Sequence, residues 1–251
     1  MSLEINNLNL TLSNKKILSN INLKIEHGKI IGVIGPNGSG KSSLIKSISG
    51  IYNYNGKIVI NNKELSSMGP VKLANCRAIM SQSQNIVFDF NCREIIEMGV
   101  LPNREKKNEQ EKINELVKTC KIDHLLERKI NTLSGGEQKR VHFARTLMQY
   151  YTMNAVHKFI ILDEPLANLD MKFKLEILKI LKNLLNEKVC VIIALHDLNI
   201  AYNFTDKIIL LNEGEVFKYD KTDVVFTEKS LSEVYQTEIT INKKKKRINY
   251  F

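Results

Sequence analysis

The 251-residue sequence contains no apolar stretch long enough to cross a membrane. Its longest run, Val189-Cys190-Val191-Ile192-Ile193-Ala194-Leu195, falls far short of the ~20 residues a helical span needs. The opening Met1-Ser2-Leu3-Glu4 has neither the basic start nor the apolar core of a secretory leader, so none is expected. Cysteines are few: Cys76, Cys92, Cys120 and Cys190, with no C-x-x-C spacing. That excludes a zinc knuckle or dithiol motif, and the four read as reduced thiols of a cytosolic protein. No His or Cys pair has ligand spacing, and no internal repeat is visible. Acidic residues are also scarce, 27 against 37 Lys and Arg, giving a net charge of +10. The one dense basic cluster is Lys243-Lys244-Lys245-Lys246-Arg247. It reads as a solvated tail in a composition rich in Lys, Ile and Asn, with lipid headgroup contact as the alternative.

What is present is concentrated in a few strand-ending motifs. Residues 29–34 read as a buried strand, with apolar Ile30, Ile31, Val33 and Ile34. The loop Gly35-Pro36-Asn37-Gly38-Ser39-Gly40-Lys41-Ser42 follows, and a helix with Leu44, Ile45 and Ile48 on one side begins at Ser42 and Ser43. Glycines let the backbone curl so that successive N–H groups face an anion, and the helix N-terminus adds its positive end. Lys41 supplies a charge for outer phosphates, and the Ser42 hydroxyl can ligate Mg²⁺. A second buried strand, Phe159-Ile160-Ile161-Leu162, ends in Asp163-Glu164. It places two carboxylates at the sheet edge where open α/β sheets bind ligands. Asp163 suits Mg²⁺, and Glu164 suits the proton of an attacking water. A third strand, residues 189–195, ends at His196, and a short fourth, Ala78-Ile79-Met80, precedes Gln82.

A further motif, Leu133-Ser134-Gly135-Gly136-Glu137, precedes a helix with Val141, Ala144, Leu147 and Met148 at helical spacing. It makes a second anion-binding helix start, yet the chain has one P-loop only. The natural ligand is a γ-phosphate held by another copy.

In this order, P-loop, Gln82, Leu133 to Glu137, Asp163-Glu164, Asp170 and His196, the chain resembles the ATP-binding-cassette ATPases along nearly its whole length. The resemblance implies a P-loop α/β core with an N-terminal antiparallel β subdomain and an inserted helical subdomain at about 83–150. A short C-terminal extension follows at about 222–251. It implies two copies meeting head-to-tail around two ATP with Mg²⁺. Gly35 to Ser43, Ser134, Gly135, Gly136, Glu137 and Asp170 would hold nucleotide; Ser42, Gln82 and Asp163 would hold the metal; Glu164, His196 and Gln82 would act in hydrolysis. Asn168-Leu169-Asp170 would link the two sites. Three positions depart from the family pattern. Leu12 aligns where an aromatic residue often stacks on adenine, so an apolar contact and loose base selectivity are expected. Glu137 replaces the commoner Gln, and Leu166 stands where Thr is frequent.

The same resemblance implies a load: a separate membrane permease dimer, docked near Gln82 with Ile86-Val87-Phe88-Asp89-Phe90 as candidate surface or, alternatively, subdomain core. Phe88-Asp89-Phe90 through Glu94-Ile95-Ile96-Glu97-Met98-Gly99 resembles importers of haem, ferric siderophores and cobalamin. The continuation Gly99-Val100-Leu101-Pro102-Asn103 departs from them. The stretch from Tyr150 to His157 is longer than in a generic cassette and resembles the haem-importer ATPases. The expectation is a peripheral ATPase on the cytoplasmic face of a bacterial inner membrane, served indirectly by a haem-binding protein. A siderophore or cobalamin cargo is the alternative. A soluble cassette acting on nucleic acid or ribosomes is a third reading, and no nucleic acid partner is expected.

Overall fold

The computed structural model describes residues 2–82, 86, 88–102 and 109–250. Val87 of the candidate docking segment and residues 103–108 lie outside the described residues.

The chain begins with antiparallel strands β1 (Ser2–Leu12) and β2 (Lys15–Glu26), joined through Ser13 and Asn14, both at positive φ. That geometry matches the twist of a two-residue hairpin. Strand β3 (Lys29–Ile34) leads through the glycine-rich loop to helix α1 (Lys41–Ile48). Strands β4 (Asn55–Ile60) and β5 (Lys63–Glu64) form a second hairpin through Asn61 and Asn62, again at positive φ. The first sheet has the order β2-β1-β4-β5.

Helix α2 (Pro70–Ala74) and strand β6 (Arg77–Met80) precede three helices: α3 (Cys92–Glu97), α4 (Glu109–Cys120) and α5 (Gly135–Thr152). Then come β7 (Lys158–Asp163), α6 (Met171–Leu184), β8 (Val189–Ala194), α7 (Leu198–Phe204), β9 (Lys207–Asn212) and β10 (Glu215–Lys221). The second sheet runs β10-β9-β3-β8-β7-β6, parallel except for β10. Strands β7 and β8 are apolar and buried almost throughout because this sheet is covered on both faces. Ile30, Ile160, Leu162, Val191 and Ile193 pack toward α5, α6 and α7. Their neighbours Ile31, Val33, Phe159, Ile161 and Ile192 pack toward α1 and the antiparallel sheet. Each such Ile or Leu contributes about 1.5–3 kcal/mol of burial, less the entropy of ordering it.

Helix α5 outruns the span its apolar spacing predicts. Its last turn carries Tyr150, buried, and Tyr151, whose ring lies 3.6 Å from the Lys112 ammonium on α4. Its middle covers the open edge of β6. The Gln149 amide accepts from Ile79 N–H (3.2 Å) and donates to Arg77 C=O (3.1 Å), while the Thr146 hydroxyl, 2.9 Å from His142 C=O in its own helix, also lies 3.3 Å from Ile79 C=O.

The C-terminal segment is α8 (Thr222–Val225), α9 (Glu228–Tyr235) and a hairpin of β11 (Ile239–Asn242) and β12 (Arg247–Tyr250). This corrects the expectation of a basic tail. Residues 243–246 turn the hairpin, whose strands are held to α7 because Asn199 accepts from Ile248 N–H (2.8 Å). Ile239 and Ile248 join the core and fix it there.

Candidate nucleotide site

The parallel strands all present their C-terminal ends at one edge, where the sequence-distant motifs meet. Gly35 follows β3 so closely that a Cβ there would lie 2.3 Å from Leu211 C=O. Gly40, at φ 100°, caps α1, and a Cβ would meet Leu18 at 2.7 Å. Only glycine fits either point, which forces the loop into its curl. Lys41 is buried, and its ammonium donates to Gly35 C=O (2.8 Å) and Pro36 C=O (2.9 Å). Burial lowers its pKa, and the nearby carboxylates of Glu164 and Asp163 oppose that shift.

Asp163 ends β7 almost fully enclosed, and burial raises its pKa. The Ser42 hydroxyl donates to its Oδ1 (3.0 Å), while Oδ2 has no hydrogen-bond partner among the described residues. A buried carboxylate oxygen left open beside a serine hydroxyl is a hard-oxygen donor set that fits Mg²⁺.

Glu164 sits in the left-handed region at φ 51°, a conformation that costs a non-glycine residue energy and marks functional turns. One carboxylate oxygen accepts from Gln82 Nε2 (2.8 Å), and the other lies 2.5 Å from His196 Nε2. Gln82, Glu164 and His196 therefore line one cavity of about 670 Å³ together with Asn37, Gly38, Gly40, Lys41, Ser42 and Ser43. Lys15, Lys16, Ile17, Glu213 and Gly214 line the same cavity. Leu12, expected at the base end, is not among the lining residues; it packs on the antiparallel-sheet core. The two-residue turn carries the chain past it, so that Lys15–Ile17 reach the cavity instead.

Ser134, Gly136, Glu137 and Asp170 line a separate hollow of about 330 Å³ with Asn168, Leu169 and Arg140. Gly135 opens α5 there, with open space where its side chain would be. Ser134 and Glu137 form a capping box: the Glu137 carboxylate accepts from Ser134 N–H (2.8 Å) and Oγ (2.7 Å), and Ser134 Oγ accepts from Glu137 N–H (3.3 Å). Those contacts, the hydroxyl first, hold the Glu137 carboxyl below its ordinary pKa. Asp170 caps α6 at Phe173 N–H (2.8 Å) and pairs with Arg140 (2.9 Å).

Two residues beside these motifs escaped the sequence reading. Lys139 reaches from the first turns of α5 to donate to Glu164 C=O (3.1 Å), which helps pin the strained residue. Burial lowers its pKa. Arg140, the next residue, stacks its guanidinium 4.1 Å from the Phe173 ring while holding Asp170. Nothing local in the sequence singles them out, because each role depends on a contact with a distant segment: Lys139 with Glu164 and Arg140 with Asp170.

A phosphate loop opposed by strand-end acids on a parallel sheet makes this molecule a P-loop nucleotide hydrolase. Within that class, the family described as ABC transporter matches residues 18–167. The chain is 35% identical over 236 residues to the hemin import ATP-binding protein HmuV of Bartonella henselae, covering 91% of this chain and 88% of that one. Its fold superposes on a solved ATP-binding subunit of an ABC transporter with TM-score 0.82 at 20% identity, covering 94% and 98% of the two chains. It also matches the ATP-binding cassette MJ0796, solved as a dimer in a post-hydrolysis state bound to ADP and Pi, at TM-score 0.74 and 26% identity, over 88% and 98%. The chain belongs to the ABC transporter family, as an ATP-binding subunit that hydrolyses ATP. Among the described residues, no helix is long and apolar enough to cross a membrane.

Proposed function

We propose that this chain hydrolyses ATP to drive haem import through a separate permease dimer. The observation that carries the cargo is the 35% identity to a hemin import ATP-binding protein across about nine-tenths of both chains. The stretch from Tyr150 to His157, which resembles the haem-importer ATPases, supports the same reading.

At the site, Gly35 to Ser43 cradle the phosphates, and Lys41 exchanges its two carbonyl partners for phosphate oxygens. Ser42, Asp163 and Gln82 would hold Mg²⁺. When bound, the ion neutralises charge developing on the outer phosphates. Glu164 takes the proton of the attacking water, once Gln82 and His196 release or reorient its carboxylate. His196 then faces the γ-phosphate.

The hollow of Ser134, Gly135, Gly136, Glu137 and Asp170 completes the site of a second, head-to-tail copy. None of its lining residues lines the P-loop cavity, so one chain offers a cradle and a lid that belong to different sites. The dimer works peripherally on the cytoplasmic face of the bacterial membrane, and a haem-binding protein outside acts through the permease.

Reconstitution with the permease and binding protein encoded beside it tests the reading. Haem should enter vesicles only with ATP on this chain's side, and loaded binding protein should raise ATP turnover by favouring the closed dimer. Uptake of cobalamin or a ferric siderophore with haem ignored would overturn the cargo and leave the ATPase intact. Co-purification with nucleic acid instead of a polytopic membrane protein would overturn the transport role.

A further inference from the structure

His196 stands between two anchored neighbours. On one side, Leu195 N–H donates to Val33 C=O in β3 (3.0 Å), which ties that residue to the buried sheet. On the other, Asp197 caps α7 by accepting from Ile200 N–H (3.0 Å). The sheet cannot shift without breaking the core. The helix can. At seven residues, α7 is well below the ~12–15 at which a helix begins to hold its shape unaided, so its place depends on what packs against it.

One face of α7 meets the core through Leu198, Ala201 and Tyr202, all buried. Another carries Asn199 and Asn203, one turn apart, and both hold the last strand. Asn199 Oδ1 accepts from Ile248 N–H (2.8 Å), and its Nδ2 donates to Ile248 C=O (3.3 Å). Asn203 Nδ2 donates to Lys246 C=O (2.9 Å) and to Asn199 C=O (2.8 Å). A side-chain amide sets a donor beside an acceptor, so Asn199 pairs with both backbone groups of one residue, as a neighbouring strand would. The hairpin it grips is itself braced by α9. Glu228 accepts from Ile241 N–H (2.8 Å), and Ser232 Oγ accepts from Ile239 N–H (3.0 Å). Asn199 lies three residues beyond His196, in the first turn of α7, and does not line the nucleotide cavity.

We propose, on the reading that His196 faces the γ-phosphate, that Asn199 is a positioning residue for ATP hydrolysis: by docking the C-terminal hairpin on α7 it fixes the start of that helix and with it the reach of the His196 imidazole. A small misplacement of a reacting group slows the chemical step while nucleotide affinity, set by the phosphate loop, is kept.

The test is Asn199→Leu, which keeps the volume and removes both hydrogen bonds, in the full chain with Mg²⁺ and ATP. Its kcat should fall by about tenfold with KM for ATP changed by less than about twofold. In the nucleotide-free chain, amide hydrogen exchange over residues 196–201 should quicken while that of β3 stays as it is. A lowered melting temperature with kcat unchanged overturns the proposal, because the amide then serves only to hold the hairpin. A raised KM with kcat kept, or unaltered exchange, overturns it too. In a His196→Ala background, read by single-turnover phosphate release with the chain in excess, Asn199→Leu should cost less than about twofold further. A second loss of about tenfold there overturns the proposal, since the effect would bypass His196. Normal turnover by His196→Ala would overturn the role of His196 and this proposal with it. A slow His196→Ala beside a normal Asn199→Leu overturns this proposal alone. If Asn199→Leu does not fold, Asn199→Asp replaces it: the acceptor for Ile248 N–H stays, the donor is lost, and a smaller fall in kcat is expected.

Discussion

The two surfaces proposed to bind phosphate in this chain are built to opposite specifications. Around the P-loop, Lys41 and Asp163 are buried, and each is tied to its neighbours by hydrogen bonds within the chain. At the other surface Ser134 is exposed and Glu137 half-buried; they cap each other, and Arg128 lies 3.8 Å from the Glu137 carboxylate. The first surface holds its geometry by itself and keeps desolvated charges ready. The second is a helix start whose capping box keeps its polar atoms paired. In the proposed dimer one chain would thus contain a finished half and a donated half.

The largest expected effect breaks the finished half. Exchanging Glu164→Gln should lower ATP turnover by about 10²–10⁴-fold, while nucleotide still binds and dimers accumulate on size-exclusion with ATP and Mg²⁺. A variant that turns over normally would sink the role given to Glu164. Next, Ser134→Arg should abolish turnover although it leaves the P-loop untouched. Mixing it with Lys41→Ala should recover part of the activity, since each mixed dimer assembles one intact site. Normal activity of Ser134→Arg alone would contradict a shared site.

A finer probe is the link between the halves. Lys139→Ala frees the Glu164 carbonyl and should cost about tenfold in kcat with little change in KM, because it loosens the positioning of Glu164 without removing it. A change confined to KM would instead place Lys139 on the nucleotide.

The smallest effect concerns stability on the same helix. Burial depresses the pKa of His142 from 6.5 to about 4. The unfolded chain takes up this proton first, so stability falls as pH drops below about 6.5 and levels off near 4, by up to about 3 kcal/mol. Urea midpoints at pH 7 and pH 5 should differ less in His142→Gln than in the parent. An equal pH dependence in both would assign the loss to other groups.

Much of this was legible because its chemistry is contiguous in sequence. The phosphate loop is one unbroken segment, and buried parallel strands announce themselves as apolar runs that end in their functional residues. Fold class and the location of the acids follow from that. What was not legible depends on which distant segments touch. Lys139 meets Glu164 only because α5 crosses the end of β7. The wall of Lys15–Ile17 replaces Leu12 because of a two-residue turn. A run of five basic residues reads as a tail in composition, yet the apolar residues flanking it, Ile239 and Ile248, anchor a hairpin. Local patterns name the parts, whereas the contacts between parts need the folded chain.

The side chains of Gln149 and Thr146 on β6 carry a further consequence. A strand at the margin of a sheet is a template on which another molecule's strand can grow, and such growth leads to aggregates. Here a glutamine amide imitates the backbone of a missing neighbour, accepting from Ile79 N–H and donating to Arg77 C=O. The sheet is terminated by a decoy carried on a helix. That makes α5 a guardian of solubility as well as the carrier of Ser134, so any event that peels it from β6 exposes a sticky margin.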